Sequence, residues 1–465
     1  MSEPLSALDT TFLELEDADR SAHMHIGAIL VFDGPAPSLP ELQAQLEQRL
    51  AALPRYRQRL TSRTARGLRR PGWEDDLAFD IATQVTRAAL PAPGGERELL
   101  EWAGDFYSHR LDRARPLWRS VLLEGLEEGC WALATKTHHC LVDGVGASDA
   151  ATVMLDASAS PGPWHAPPAP REPPAHGVLH DLTVLPRRVA RSGLDLAAHP
   201  AAVLDGARGL VELALRDELA GAPSTSLNVP LGEHRRLAVG HIELARVKAI
   251  GHALGGTVND VVLALVTAGL RQLLLERGDE PPAGMRAMVP VNLRVDADAL
   301  QLGNRVSSLF VTLPVAEPDP AERYRLVLVE AQRRKAGRQA AGGRALLELS
   351  ALAPPALHAA IARPALATRL FNLTVTNVPG PPRRLYGLGR RLRTIIPLVP
   401  LAAEHALGVA VVSYAGDVCI CVNADRDVVR DAAEVIAGVD AEVAALEALA
   451  AAAPARGGVE PPDAA

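Results

Sequence analysis

Residues 131–144 read Trp131-Ala132-Leu133-Ala134-Thr135-Lys136-Thr137-His138-His139-Cys140-Leu141-Val142-Asp143-Gly144. The first seven are short, mostly apolar and follow Glu127-Glu128-Gly129, which reads as a hairpin connection from a matching apolar segment, Leu117 to Leu126. Side chains alternate faces along a strand, so His139 shares a face with Trp131, Leu133, Thr135 and Thr137. His138 shares the other face with Ala132, Ala134 and Lys136, and only one histidine of the pair can serve a given site. Asp143 follows His139 by four residues, across a turn, where a carboxylate can hold the loop or orient an imidazole. Gly144 permits a positive φ or a close backbone approach.

A histidine with an ordinary pKa of about 6.5 suits removal of a proton from an alcohol at neutral pH. No G-x-S-x-G nucleophile elbow occurs, and no cysteine stands in a recognised catalytic context. His139 is therefore expected to act on a substrate hydroxyl directly, without a covalent acyl-enzyme. The competing reading makes both histidines structural groups at a strand end. A metal site built from His138, His139 and Asp143 is disfavoured because adjacent histidines on a strand diverge, and no metal is expected.

The 465 residues exceed what one hydrophobic core organises and fit two domains. Apolar residues make up 48 % and charged residues 22 %, the balance of a globular protein. Aromatics are only 3 %, so Leu, Val, Ile and Ala must build the core. A net charge of -7 argues against nucleic acid as a partner, since phosphate binding wants a basic field. Cys130, Cys140, Cys419 and Cys421 form neither a C-x-x-C pair nor a zinc spacing, which points to a reducing compartment. Met1 to Glu16 lacks a signal-peptide pattern, and no uncharged apolar run reaches the ~18 residues of a spanning helix. The expected location is cytoplasmic, with any membrane contact peripheral.

Around the histidine hairpin, His23 to Phe32 reads as a strand, Leu39 to Leu60 as a helix interrupted at Pro54, Phe79 to Val85 as a strand and Glu96 to Tyr107 as a helix. Ser148 to Ala157 reads as a helix. Ala159 to Gly177 holds seven prolines and is a linker by composition. Val178 to Leu219 is helical in pattern, with Arg187, Arg188 and Arg191 beside an apolar stripe. A second α/β region opens near Arg235. It has helices over Leu244 to Leu254, Val258 to Arg277 and Val439 to Ala452, and strands at His241 to Leu244, Met285 to Asn292, Ser307 to Leu313, Leu373 to Asn377 and Ala406 to Ser413. The division is thus 1–158, a linker and helical crossover over 159–234, a second domain over 235–453 and a disordered tail over 454–465.

Several separated blocks extend the pattern. They are Leu5-Ser6-Ala7-Leu8-Asp9 through Phe12-Leu13, Met24-His25-Ile26-Gly27, and Leu111-Asp112-Arg113-Ala114-Arg115-Pro116-Leu117-Trp118. The second half adds Gly256-Thr257-Val258-Asn259-Asp260-Val261-Val262, Val289-Pro290-Val291-Asn292-Leu293-Arg294, Gly303-Asn304-Arg305, Thr376-Asn377-Val378-Pro379-Gly380-Pro381 and Ser413-Tyr414-Ala415-Gly416. With these blocks in this order the chain resembles, nearly end to end, the bacterial wax ester synthase/acyl-CoA:diacylglycerol acyltransferase family.

The resemblance implies two α/β domains of the chloramphenicol acetyltransferase type with a channel between them and the histidine motif at mid-channel. The substrates it implies are a long-chain acyl-CoA and diacylglycerol or a fatty alcohol, with no cofactor and with contact to a membrane or lipid-inclusion surface. His139 is then the base, with His138, Asp143 and Gly144 in the motif. The resemblance further implies that Asp143 pairs with Arg294. It makes Asn259-Asp260 important for activity, although both residues also suit a helix cap. Asn304 is a candidate oxyanion donor. Pro116-Leu117-Trp118 is either a substrate contact or the start of a strand that packs Trp118. Relatives of this pattern carry His where this chain has Gln84. Rival functions are a catalytically idle scaffold of the same fold and an acyltransferase for another alcohol or a carrier-bound acceptor.

Overall fold

The structure, a computed structural model, describes residues 3–61, 71–142, 153–162, 164, 221–292, 306–336 and 370–453. In chain order, β1 (Glu3–Pro4) leads into α1 (Ala7–Ala18) and β2 (His25–Phe32). Next come α2 (Leu39–Arg49), β3 (Gln58–Leu60), β4 (Gly72–Asp75), α3 (Ile81–Gln84), β5 (Val85–Ala89) and α4 (Glu96–Ser108). The strands β6 (Trp118–Glu124) and β7 (Trp131–His138) complete the first half. The second half runs β8 (Arg235–Glu243), α5 (Leu244–Leu254), α6 (Val258–Glu276), β9 (Met285–Asn292), β10 (Val306–Leu313) and α7 (Pro320–Ala336). It ends with β11 (Leu373–Pro379), β12 (Tyr386–Gly387), β13 (Arg390–Leu398), β14 (Leu407–Tyr414), β15 (Asp417–Asp425) and α8 (Ala433–Ala452).

Two six-stranded mixed sheets dominate. The first has the order β12-β13-β2-β7-β6-β5 and the second β10-β9-β11-β14-β15-β8, while β1-β4-β3 form a small third sheet. The hairpin expected around Glu127-Glu128-Gly129 joins β6 to β7. Its turn needs positive φ at Glu128 (57°) and Gly129 (68°), and Glu128 tolerates this on the open surface.

Two expectations are corrected. Phe79 to Val85 is not a strand: Asp80 caps the turn α3 by accepting the Ala82 N–H at 2.8 Å, and the extended chain begins only at Val85. Sheet membership also cuts across the chain division at 159–234, because β12 and β13, from the second half, complete the first sheet beside β2. Pro397 fits within β13 because its partner β12 pairs only with Arg390 and Arg391, leaving the outer edge open where a missing N–H costs nothing. The expected helices over 148–157 and 178–219 lie largely or wholly outside the described residues.

The cores follow this exchange. One cluster fills the second sheet against α5, α6, α7 and α8. The helix α6 is apolar on all sides and buried from Asp260 to Leu270. Among the described residues it is the one helix long and apolar enough to cross a membrane, and it lies inside the core, in close contact with α8. A Cβ on Gly438 would stand 2.8 Å from the Gly269 Cα, so these two helices approach backbone to backbone. A second cluster covers one face of the first sheet with α1, α2, Tyr56 and Trp73. A third mixes Ile29, Val121 and Ala132 of the first sheet with Leu237, Val412, Cys419 and Cys421 of the second, so the two sheets share apolar contacts. The buried Tyr414 on β14 adds a polar tie: its hydroxyl accepts the Leu385 N–H at 2.8 Å and donates to the Leu392 carbonyl at 3.1 Å. All four cysteines are buried and free.

Candidate active site

The histidine pair sits at the end of β7, in the middle of the first sheet. The His138 N–H donates to the Leu117 carbonyl (2.9 Å), and the His139 N–H to the Met24 carbonyl (2.7 Å), so the ladder runs through both residues and keeps their side chains on opposite faces. His138 is 1 % exposed, whereas His139 is half-buried. The division of the pair expected from the sequence is the one observed.

Helix α1 grips both rings. Ser6 caps it by accepting the Asp9 N–H at 3.0 Å, which explains the Leu5-Ser6-Ala7-Leu8-Asp9 block as a helix start. Phe12 and Glu16 follow one helical turn apart on one face. Phe12 stacks on His139 with ring centroids 4.3 Å apart and planes 23° apart. Glu16 reaches the other ring: its Oε2 lies 3.5 Å from His138 Nε2, and its Oε1 lies 3.5 Å from His25 Nε2. The Cys140 N–H donates to His138 Nδ1 at 3.1 Å, so His138 carries its proton on Nε2, facing Glu16.

Glu16 is almost fully buried and would be costly there unpaired. Arg110 Nη2 stands 3.0 Å from its Oε2, Arg113 Nε donates to the same oxygen at 3.1 Å, and Arg113 Nη2 makes a second, shorter bond. Burial works to raise the carboxyl pKa, but His138, Arg110 and His25 facing it outweigh burial and hold it well below the usual range. His25 is pushed the other way. Burial, then the fields of His138 and Lys136, hold its pKa well below 6.5 against the attraction of Glu16. Burial likewise lowers His23 to about 4, with the Arg235 field adding to it. His25 is thus a packed strand histidine, 3 % exposed, and not a second base.

Pro116, Leu117 and Trp118 are buried at the start of β6. The Trp118 Nε1–H donates to the Tyr56 carbonyl at 2.7 Å. Gln84 ties this segment down by donating to the Pro116 and Trp118 carbonyls at 2.9 and 3.0 Å. In the second half, Asp260 closes a capping box with Thr257 at the start of α6. Asn259 accepts a hydrogen bond from Asn377 Nδ2 at 3.4 Å, which joins two of the separated blocks. Asp143, Gly144, Arg294 and Asn304 lie outside the described residues. No cluster of His, Cys, Asp and Glu fit for a metal occurs among the described residues.

The sequence reading missed Phe12, Glu16, Arg110 and Arg113. The one available signal was the four-residue spacing of Phe12 and Glu16 on a capped helix, together with Arg113 inside the block that precedes Pro116.

Known proteins resemble this chain over most of its length. Residues 5–262 match the wax ester synthase/diacylglycerol acyltransferase catalytic domain, and residues 302–447 match the corresponding C-terminal domain. A Mycobacterium tuberculosis (strain H37Rv) protein, named a probable diacylglycerol O-acyltransferase, is 35 % identical over 457 residues, covering 96 % of each chain. A second relative with a similar name, from Mycobacterium bovis, is 34 % identical over 419 residues, 88 % of this chain and 91 % of that one. The solved wax ester synthase/diacylglycerol acyltransferase of Marinobacter aquaeolei VT8 superposes with a TM-score of 0.71 at 28 % identity, covering 97 % of this chain and all 100 % of that one. The starter condensation domain of rhizomide synthetase shares the fold, with a TM-score of 0.62 at 18 % identity over 97 % of this chain and 95 % of its own.

The buried histidines make stability depend on pH. His25 stays neutral in the folded protein but takes up a proton near 6.5 once unfolded. The unfolded chain therefore binds more protons below that pH, and stability falls as pH drops. Replacing His25 by Gln should flatten unfolding free energy against pH between 6.5 and 5 by about one proton, or ~1.4 kcal/mol per pH unit. Denaturant unfolding at several pH values reads this directly, and an unchanged slope would contradict it.

Proposed function

Because this chain belongs to the wax ester synthase/diacylglycerol acyltransferase family, we propose that it transfers a long-chain fatty acyl group from acyl-CoA to the hydroxyl of diacylglycerol, of a fatty alcohol, or of both, with His139 as the general base. The observation that carries the role of His139 is the asymmetry of the pair. His138 is sealed against Glu16, while His139 is half-buried and braced by Phe12.

In this reading His139 takes the proton from the acceptor hydroxyl as its oxygen attacks the thioester carbonyl. The tetrahedral oxyanion needs donors aimed at it, and Asn304 is the candidate. Collapse breaks the carbon–sulfur bond, and the imidazolium returns its proton to the departing thiolate. Cys140 is a poor rival nucleophile: it is buried, and burial raises its thiol pKa well above 9. Asp143 and Arg294 are proposed to pair behind the motif, and Asn259 and Asp260 to support the site from α6. An idle scaffold of the same fold is the alternative, and thiol release from long-chain acyl-CoA on adding alcohol separates the two. The protein is proposed to work in the cytoplasm, at the face of a membrane or lipid inclusion.

Three outcomes follow from this reading. His139→Ala should lower ester formation by a factor of ~10²–10⁴ without changing the melting temperature, whereas His138→Ala should lose less catalysis and more stability. Near-normal turnover of purified His139→Ala would refute the base assignment. Asp143→Asn and Arg294→Gln should each cost roughly 3–5 kcal/mol if the pair is fully buried, and additive losses in the double variant would disprove the pairing. Changing Arg187, Arg188 and Arg191 to Glu should abolish flotation with anionic liposomes, and unchanged flotation would remove that segment from the lipid surface.

A further inference from the structure

The face of the first sheet that carries His139 is stepped. Cross-strand partners share a face, so side chains line up in rows across β13, β2, β7 and β6. The row nearest His139 is Ile26, Thr137 and Trp118. The next is Pro397, Ala28, Thr135 and Ser120, all small or compact. The third is Ile395, Leu30, Leu133 and Leu122, and beyond it Phe32 stacks on Trp131 at 4.3 Å.

Burial follows the same steps. Ala28 and Thr135 lie on strands flanked by neighbours on both sides, yet both are half-buried, as are Pro397 and Thr137. Accessible surface on such central positions can only come from the sheet face. Leu30, Leu133 and Leu122, one row further on, are closed off, while Ile395 at the β13 end of that row is half-buried. Ile26 and Trp118, on either side of Thr137, are closed as well. The opening therefore starts at His139, passes over Thr137 between Ile26 and Trp118, widens over Ala28 and Thr135, and stops at the leucine row. At ~3.4 Å per residue, Thr135 lies about 14 Å from His139 along β7.

The lining is apolar in effect. The Thr135 hydroxyl is turned to the Ala28 carbonyl at 3.2 Å, so Thr135 can present its methyl group. No charged side chain belongs to these three rows.

We infer that this blind trough holds the acyl chain of the thioester donor, and that Ala28 and Thr135 set the chain length accepted. The inference rests on the acyl-CoA reading of the site. A trough bounded by Ile26 and Trp118 fits one unbranched chain whose reacting carbon stops at His139. Diacylglycerol carries two chains and does not fit a single trough; a fatty alcohol is one chain, and the alcohol series in the test separates it from the acyl donor. The polar CoA head stays outside.

The test is the ratio of kcat/KM for palmitoyl-CoA to that for octanoyl-CoA, with hexadecanol as acceptor. One misfitted methylene in an apolar pocket is worth 10–200-fold, so Ala28→Leu should lower this ratio by about tenfold or more. Thr135→Ile, a gentler filling that keeps a β-branched side chain, should lower it in the same direction. The hexadecanol-to-octanol ratio with palmitoyl-CoA should hold steady in both variants. Equal losses on both acyl-CoAs would overturn the trough, and so would a shift in the alcohol series in place of the acyl series. If the unaltered protein released no thiol from any acyl-CoA, the acyltransferase reading itself would fall, and the trough with it.

Discussion

The Glu16 carboxylate stands where four separated stretches of chain converge: α1, the start of β2, the segment after α4 and the end of β7. It is buried, so it must be matched by positive charge: Arg110 and Arg113 supply it at close range, and the rings of His25 and His138 stand 3.5 Å away. Removing one partner of such a buried set typically costs ~3–5 kcal/mol. The same helix turn that delivers Glu16 to His138 delivers Phe12 to His139. Orientation of the open ring is thereby tied to burial of the closed one, and the remaining features of the site depend on that linkage.

The exchange of β12 and β13 into the first sheet extends this constraint to the second half of the chain. Of these, β13 lies directly beside β2, which pairs with β7 and continues from Met24, whose carbonyl holds the His139 backbone. Tyr414, from the second sheet, fixes the turn between β12 and the segments around it through two hydrogen bonds. Leaving the buried Leu385 N–H unmatched there would cost ~1–3 kcal/mol. A change in the second sheet can therefore reach the row of side chains beside Ala28 through Ile395 and Pro397.

Local features of this arrangement were legible in the sequence. The alternation of residues 131–139 carried the division of the histidine pair, the Glu127-Glu128-Gly129 turn carried the hairpin, and the blocks around Asn259, Asn377 and the histidines carried the family. The interactions that order the site were not legible. The Glu16 cluster draws on positions 16, 25, 110, 113 and 138, and no local periodicity links them. The placement of β13 is a long-range pairing chosen by a shared core, which short apolar runs do not reveal. The strand expected over Phe79 to Val85 failed for a local reason, since the Asp80 cap outweighed the β-propensity of the residues after it.

The proposed chemistry rests on a histidine acting without a covalent partner. The nearest thiol, Cys140, is buried with a raised pKa, and His138 is committed to Glu16. Rapid mixing of the protein with a radiolabelled long-chain acyl-CoA, without any alcohol, tests this most directly. Direct transfer predicts no burst of thiol stoichiometric with the protein and no label left on the denatured chain. A burst matching the protein concentration, with the acyl label retained on the chain, would contradict it.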